Sequence, residues 1–133
     1  MAMRNGHLTL LGEGEALFEP LALDLAACER QLPDLLQQLR DRRVRLLWYD
    51  LSSIALIDAV HLDYLNRLAS ACRATAVRLV VVNMQPAAAF ALAGMYPEKR
   101  PCFETALGVG TVIVQPGVRQ AEQRSLGVGV SCI

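Results

Sequence analysis

The stretch VRLLWYDLSSIALIDAVHLDYLNRLASACRATAVRLVVVN, residues 44–83, decides the fold. Residues 44–50 (VRLLWYD) are a strongly apolar run of strand length that closes on a carboxylate. Asp50-Leu51-Ser52-Ser53 reads as a turn, because short Asp and Ser side chains hydrogen-bond neighbouring backbone groups. Residues 54–57 are a short apolar step. Asp58 then stands where a helix N-cap belongs, and a helix is expected from there to about Arg73. Its buried stripe is Leu62, Leu65, Leu68, Ala69 and Cys72, with Asp63, Asn66, Arg67, Ser70 and Arg73 toward water. Residues 77–83 (VRLVVVN) are continuous and β-branched, as in a strand covered on both faces.

Upstream, residues 7–18 mix apolar positions with Gly12 and Gly14, the pattern of one or two short strands about a turn. Residues 23–40 follow a helical period, with Ala26, Ala27, Leu32, Leu35, Leu36 and Leu39 inward. Glu29, Gln31, Gln37, Gln38 and Arg40 lie opposite. Pro33 falls inside this stripe, so the helix either restarts there or kinks. Arg40, Arg42, Arg43 and Arg45 then gather positive charge against Asp41; cations suit a helix C-terminus, and a docking patch is the sharper alternative.

Downstream, Met84-Gln85 lead to Pro86, which suits the first turn of a helix through Ala87, Phe90, Ala91 and Leu92, ended by Gly94. Pro97 and Pro101 bracket a charged loop. Cys102 to Glu104 is expected as a short strand and Thr105 as the cap of a last helix, against which stand Gly108, Gly110 and the largely β-branched residues 111–114. The tetrad Leu-Gly-Val-Gly occurs at 107–110 and 126–129, too short for a repeat architecture. Alternating strands and helices put parallel strands side by side. The expected class is α/β: a central mixed β-sheet of about four to five strands, with about four helices packed mainly on one side. The expected organisation is a single domain over 1–117 and a flexible C-terminal tail over 118–133.

The chain has 133 residues, of which 53% are hydrophobic and 20% charged, so it is globular with room for one core. Thirteen Lys plus Arg balance thirteen Asp plus Glu, which argues against an electrostatic grip on nucleic acid or anionic lipid. Mean hydropathy is +0.31, and residues 79–97 carry no charge. Asn83, Gln85 and Pro86 interrupt that stretch, which therefore reads as two buried elements and not a membrane span. No signal peptide is visible at the N-terminus, so a cytoplasmic location is expected. Cys28, Cys72 and Cys102 read as small buried hydrophobes, and neither histidine, His7 or His61, sits at metal-ligand spacing to a cysteine. No metal or cofactor is expected.

Catalytic patterns are thin. Gly12-Glu13-Gly14 and Gly108-Val109-Gly110 do not complete a phosphate-binding G-x-G-x-x-G, and no Walker lysine follows. Ser53, His61 and Asp58 can be written as a Ser-His-Asp grouping, but the flanks are no nucleophile elbow, and His61 is a polar position near a helix start. Asp50 and Asp58 are as well explained by a turn and a cap as by paired-carboxylate chemistry.

Residues 44–68 (VRLLWYDLSSIALIDAVHLDYLNRL), with RLVVVNMQPAAAFALAGM at 78–95, resemble a STAS domain (sulfate transporter and anti-sigma-factor antagonist). The likeness lies in a strand ending in Asp50, the small-polar Leu51-Ser52-Ser53, an apolar step and Asp58 opening a helix. A second buried strand and Pro86-Ala87-Ala88-Ala89 follow, and the resemblance covers about residues 7–114. Within the family the chain is most similar to the RsbS-type stressosome antagonist, where Thr105-Ala106-Leu107 would open the last helix. The resemblance implies a cytoplasmic scaffold that holds a switch kinase in multi-copy assemblies. It also implies a phosphoacceptor Ser or Thr directly after the second Asp, and here that position is Ala59. A methyl accepts no phosphate, so the family's charge switch is absent at that position. Ser52, Ser53 and Thr75 remain as non-homologous acceptors.

The leading expectation is a non-enzymatic interaction module that binds a serine-kinase, anti-sigma-like or STAS partner, or its own copies, near the start of the Asp58 helix. Its candidate contact residues are Asp58, Ala59, Val60, His61, Asp63, Arg67, Ser52 and Ser53. The alternatives are a STAS module binding a nucleotide, a lipid or a transporter, and a small hydrolase using Ser53 or the two aspartates.

Overall fold

A computed structural model describes residues 2–3 (as backbone), 6–20, 25–96, 98–111 and 113. They form β1 (Ala2–Met3), β2 (Gly6–Gly12), β3 (Glu15–Pro20), α1 (Leu25–Asp41), β4 (Leu46–Asp50), α2 (Ala59–Ala74), β5 (Arg78–Val82), α3 (Pro86–Ala93) and β6 (Glu104–Ala106). The strands make one six-stranded sheet whose spatial order is that of the sequence. β1, β2 and β3 pair antiparallel, and β3 to β6 pair parallel. The chain thus adopts the α/β architecture with a mixed sheet.

Topology puts the helices on one side. Each parallel crossover carries one helix and steps the same way across the sheet, and crossovers of one hand then lay their helices on a common face. Burial agrees. Leu35 and Leu39 of α1, Leu65 and Leu68 of α2, and Ala88 and Leu92 of α3 share a core with Leu47, Tyr49, Leu79 and Val81. On the opposite face Trp48, Val80 and Val82 form a smaller cluster with Leu17, Leu46, Ala106 and Ile113. Apolar side chains therefore leave β4 and β5 in both directions, which is why those strands read as continuous runs and not as alternation.

The β2–β3 turn uses Gly14 at φ +75, and the Gly14 carbonyl accepts the backbone N–H groups of Arg45 and Leu46 at 2.7 and 2.9 Å. That contact sets β4 beside β3. α1 runs through Pro33 without a break. Its inner face takes Cys28 in place of the expected Ala26, which is exposed, because positions 28, 35 and 39 fall on one helical stripe.

The C-terminal expectations need correction. The last described strand is Glu104–Ala106, and Thr105 pairs with Val81 in its middle instead of opening a helix. The exposed edge of β5 offers Thr105 a ladder, and a β-branched residue before Gly108 and Gly110 has little to favour a helix. The described residues accordingly hold three helices, against about four expected. Cys28 and Cys72 are buried and form no disulfide, whereas Cys102, in the half-buried loop before β6, is disulfide-bonded and not a packing residue. The expected boundary near 117 and the tail beyond it lie outside the described residues. No helix among the described residues is long and apolar enough to cross a membrane.

Candidate functional site: the tip of α2

The loop from Leu51 to Asp58 is fixed from within. Leu51, Ile54 and Ile57 are buried at three-residue intervals, so Ser52, Ser53, Ala55 and Leu56 are turned outward. Asp50 Oδ1 accepts the Ser52 N–H at 2.8 Å, the Asx turn expected of that residue type, and also Asn83 Nδ2 at 3.2 Å. Gln85 Nε2 donates to the Ser52 carbonyl at 2.6 Å. Asn83 itself adopts φ +57, a conformation Asn tolerates better than most residues, and its N–H donates to the Leu107 carbonyl. Three loops distant in sequence are thereby tied together at the C-terminal end of the parallel strands.

Asp58 caps α2 as its position implies: its backbone is extended at φ −100, and Oδ1 accepts the His61 N–H at 2.8 Å. Replacing Asp58 by alanine is expected to cost about 1 kcal/mol and to lower the thermal midpoint by several degrees, whereas Asp58→Asn keeps most of the cap. Equal losses in both variants, read by thermal unfolding, would contradict a capping role.

The eight candidate residues do not form one patch. Asp58, Ala59 and Val60 form the start of α2, with Val60 59% exposed and Ala59 half-buried, while Ser52 and Ser53 lie in the preceding loop, hydrogen-bonded to Gln85 and Pro20. Asp63 and Arg67 lie further along α2 and are held in ion pairs, Asp63 with Lys99 at 2.9 Å and Arg67 with Glu29. His61 is 1% exposed, so it is no surface contact. Its position at 61, with Leu65, Leu68 and Cys72, lies on the inner stripe.

The Ser-His-Asp grouping is not assembled. Ser53 Oγ donates to the Pro20 carbonyl at 3.0 Å, and Asp58 receives the backbone of His61, not its ring. The buried His61 Nδ1 has no partner among the described residues. Burial pushes the Cys72 thiol up to about 12, which leaves no thiolate at neutral pH. Among the described residues no group of His, Cys, Asp and Glu is placed to hold a metal ion.

Burial holds the His61 imidazole below its usual pKa, partly opposed by the Asp58 carboxylate. The neutral ring is therefore favoured in the folded chain, and protons bind more readily to the unfolded one. Stability is expected to be full above the ordinary histidine pKa of about 6.5 and to fall as pH drops through it. Urea midpoints measured from about pH 8 to 5 should show that decline, and His61→Leu should flatten it. A variant with an unchanged profile would remove His61 as its cause.

Sequence reasoning missed Leu56, Phe90 and Leu107, which are 59%, 84% and 89% exposed around these loops. Residues 86–93 contain only apolar types, so nothing in them marks an outer face.

Sheet order, one-sided helices and a capped helix after β4 define a STAS-like α/β fold. Among solved structures it is similar to a Ser-to-Glu variant of RsbS from Moorella thermoacetica, with TM-score 0.61 over 80% of this chain and 89% of that one, at 16% identity. That is a likeness of fold. No family model matches the sequence, and no curated protein matches it.

Proposed function

We propose that this chain is a non-enzymatic interaction module of the anti-sigma-factor-antagonist type, cytoplasmic, which binds a kinase-like or STAS partner through the tip of α2. The observation that carries the reading is the pair Leu56 and Val60, each 59% exposed, on either side of the capping Asp58. Exposed aliphatic side chains on a hydrogen-bonded loop and the first turn of the helix it leads into suit a protein contact, because little ordering entropy is lost on docking. Topology argues in the same direction. Ligand crevices in open α/β sheets form where successive crossovers diverge to opposite faces, and the order β3-β4-β5-β6 has no such point. The RsbS likeness supplies a fold compatible with this reading, and function must still come from the site.

Ala59, the first residue of α2, carries no hydroxyl, so no phosphate can form at that position. The partner is held by surface complementarity, without the switch that a phosphate would provide. The test is co-purification of the host's kinase-like, anti-sigma and STAS proteins with the wild type and with Leu56→Asp/Val60→Asp. A defined partner captured by the wild type and lost from the folded double variant is expected. Equal capture by both would remove the tip of α2 from the interface.

A further inference from the structure

The described helices cover one face of the sheet. Trp48 of β4 and Val80 and Val82 of β5 leave the other face, yet Trp48 is only 3% exposed and both valines are fully buried. The apolar residues described around them are Leu17, Leu46, Ala106 and Ile113. Leu17 and Ala106 pair with Trp48 and Val82 in the ladder, and Leu46 precedes Trp48 on the same side of β4. Glu15 Oε1 accepts the indole N–H at 2.9 Å, and Arg78 pairs with Glu104 beside Val80. Except for Ile113, all of these residues belong to the sheet itself. Side chains on one sheet face stand side by side, so they flank an indole and do not roof it. Burying such a face takes a second layer packed about 10 Å away.

Three observations select what supplies that layer. Ile113, beyond β6, packs against the cluster and so brings the chain onto this face. Cys102, just before β6, is disulfide-bonded; the sequence holds four cysteines, and Cys28 and Cys72 form no disulfide, which leaves Cys132. The sequence after Ile113 also suits the task. Leu126, Val128, Val130 and Cys132 alternate with Gly127, Gly129 and Ser131, so an extended segment would present its apolar side chains on one side. At about 3.3 Å per extended residue, residues 114–133 are long enough to cross six strands about 4.8 Å apart and return to Cys102.

We infer that residues 114–133 form a strap over the helix-free face, packed on Trp48, Val80 and Val82 and fastened by a disulfide between Cys102 and Cys132. The strap replaces the loose tail expected from the sequence. Tethered at both ends, it meets this face at the high effective concentration of a linked segment, so it outcompetes a separate chain for the same surface. It thereby closes to partners the apolar face that the helices leave bare.

Trp48 is the chain's single tryptophan, so its fluorescence reads the strap. In the full chain acrylamide should quench Trp48 weakly, and equally from about 1 µM to about 100 µM protein, a range over which a micromolar contact between copies would form. Leu126→Asp/Val128→Asp/Val130→Asp sets charges against an apolar layer and should raise the quenching constant severalfold and shift the emission to the red. Cooperative urea unfolding of that variant would show that its core is intact. Cys132→Ser keeps the apolar residues and loses the tether, so its quenching should fall between the two. After equilibration with glutathione disulfide, a peptide map should join Cys102 to Cys132. Strong quenching in the wild type, either variant as shielded as the wild type, or Cys102 not joined to Cys132 would overturn the inference. Shielding that appears only as protein concentration rises would overturn it too, and would put a second copy on this face.

Discussion

Replacing Leu65 by alanine is expected to lower the free energy of unfolding by about 2–5 kcal/mol, a large share of the 5–15 kcal/mol typical of a single domain. Leu65 is fully buried on α2, in the core shared by the three helices and the sheet. The cost depends on whether the surroundings can close over the lost methyl groups, and α2 is held on several sides. Asn66 donates to the Arg100 carbonyl and accepts from the Cys102 N–H, at 3.0 and 2.7 Å, while Asp63 pairs with Lys99 and Arg67 with Glu29. A helix tied to α1 and to the loop before β6 has little freedom to move inward, so the upper half of the range is expected. Urea unfolding should show a lower midpoint at an unchanged slope. Arg67→Ala, which removes one exposed ion pair, should shift stability by no more than about 1 kcal/mol. A Leu65→Ala loss below about 1 kcal/mol would mean that α2 does not sit on the sheet as described.

Legibility followed the range of the interactions. Residues 44–83 could be read because their signals are local: a carboxylate closing β4, an Asx turn, a cap whose bond spans three residues, and a β-branched run. The break between β5 and α3 was also local, since Pro86 sits at the first turn of α3. Thr105 went the other way because β6 exists only through its pairing with β5, and no property of residues 104–106 expresses that partner. The candidate site was partly legible for the same reason. Asp58 and Val60 belong to a cap and a first turn. Asn83 and Gln85, which hold the loop from 33 residues away, act through contacts that only the folded sheet creates. His61 could have been placed inward from its spacing to Leu65 and Leu68, but its polar type outweighed the period.

Ala59→Glu is expected to separate folding from binding. The substituted residue would be the first of α2, where a carboxylate meets the positive end of the helix dipole and gains roughly 0.3–1 kcal/mol. Repulsion from the adjacent Asp58 carboxylate opposes that gain. Stability should therefore change by less than about 1 kcal/mol, and the cap to the His61 N–H should survive. Docking responds differently. A partner covering Leu56 and Val60 must also desolvate the new charge, and with no Lys or Arg in residues 50–60 nothing in this chain pairs with it. Even about 1.4–2.8 kcal/mol of uncompensated desolvation lowers affinity about 10- to 100-fold. Ala59→Ser adds a small uncharged group and should bind within a few-fold of wild type. It also supplies the missing hydroxyl, so a serine kinase that phosphorylates it should reproduce the loss seen with glutamate, through a charge of about −1.5 to −2. If the folded glutamate variant captures its partner as well as wild type does, the partner sits elsewhere, and the exposed pair beside Asp58 is ordinary surface.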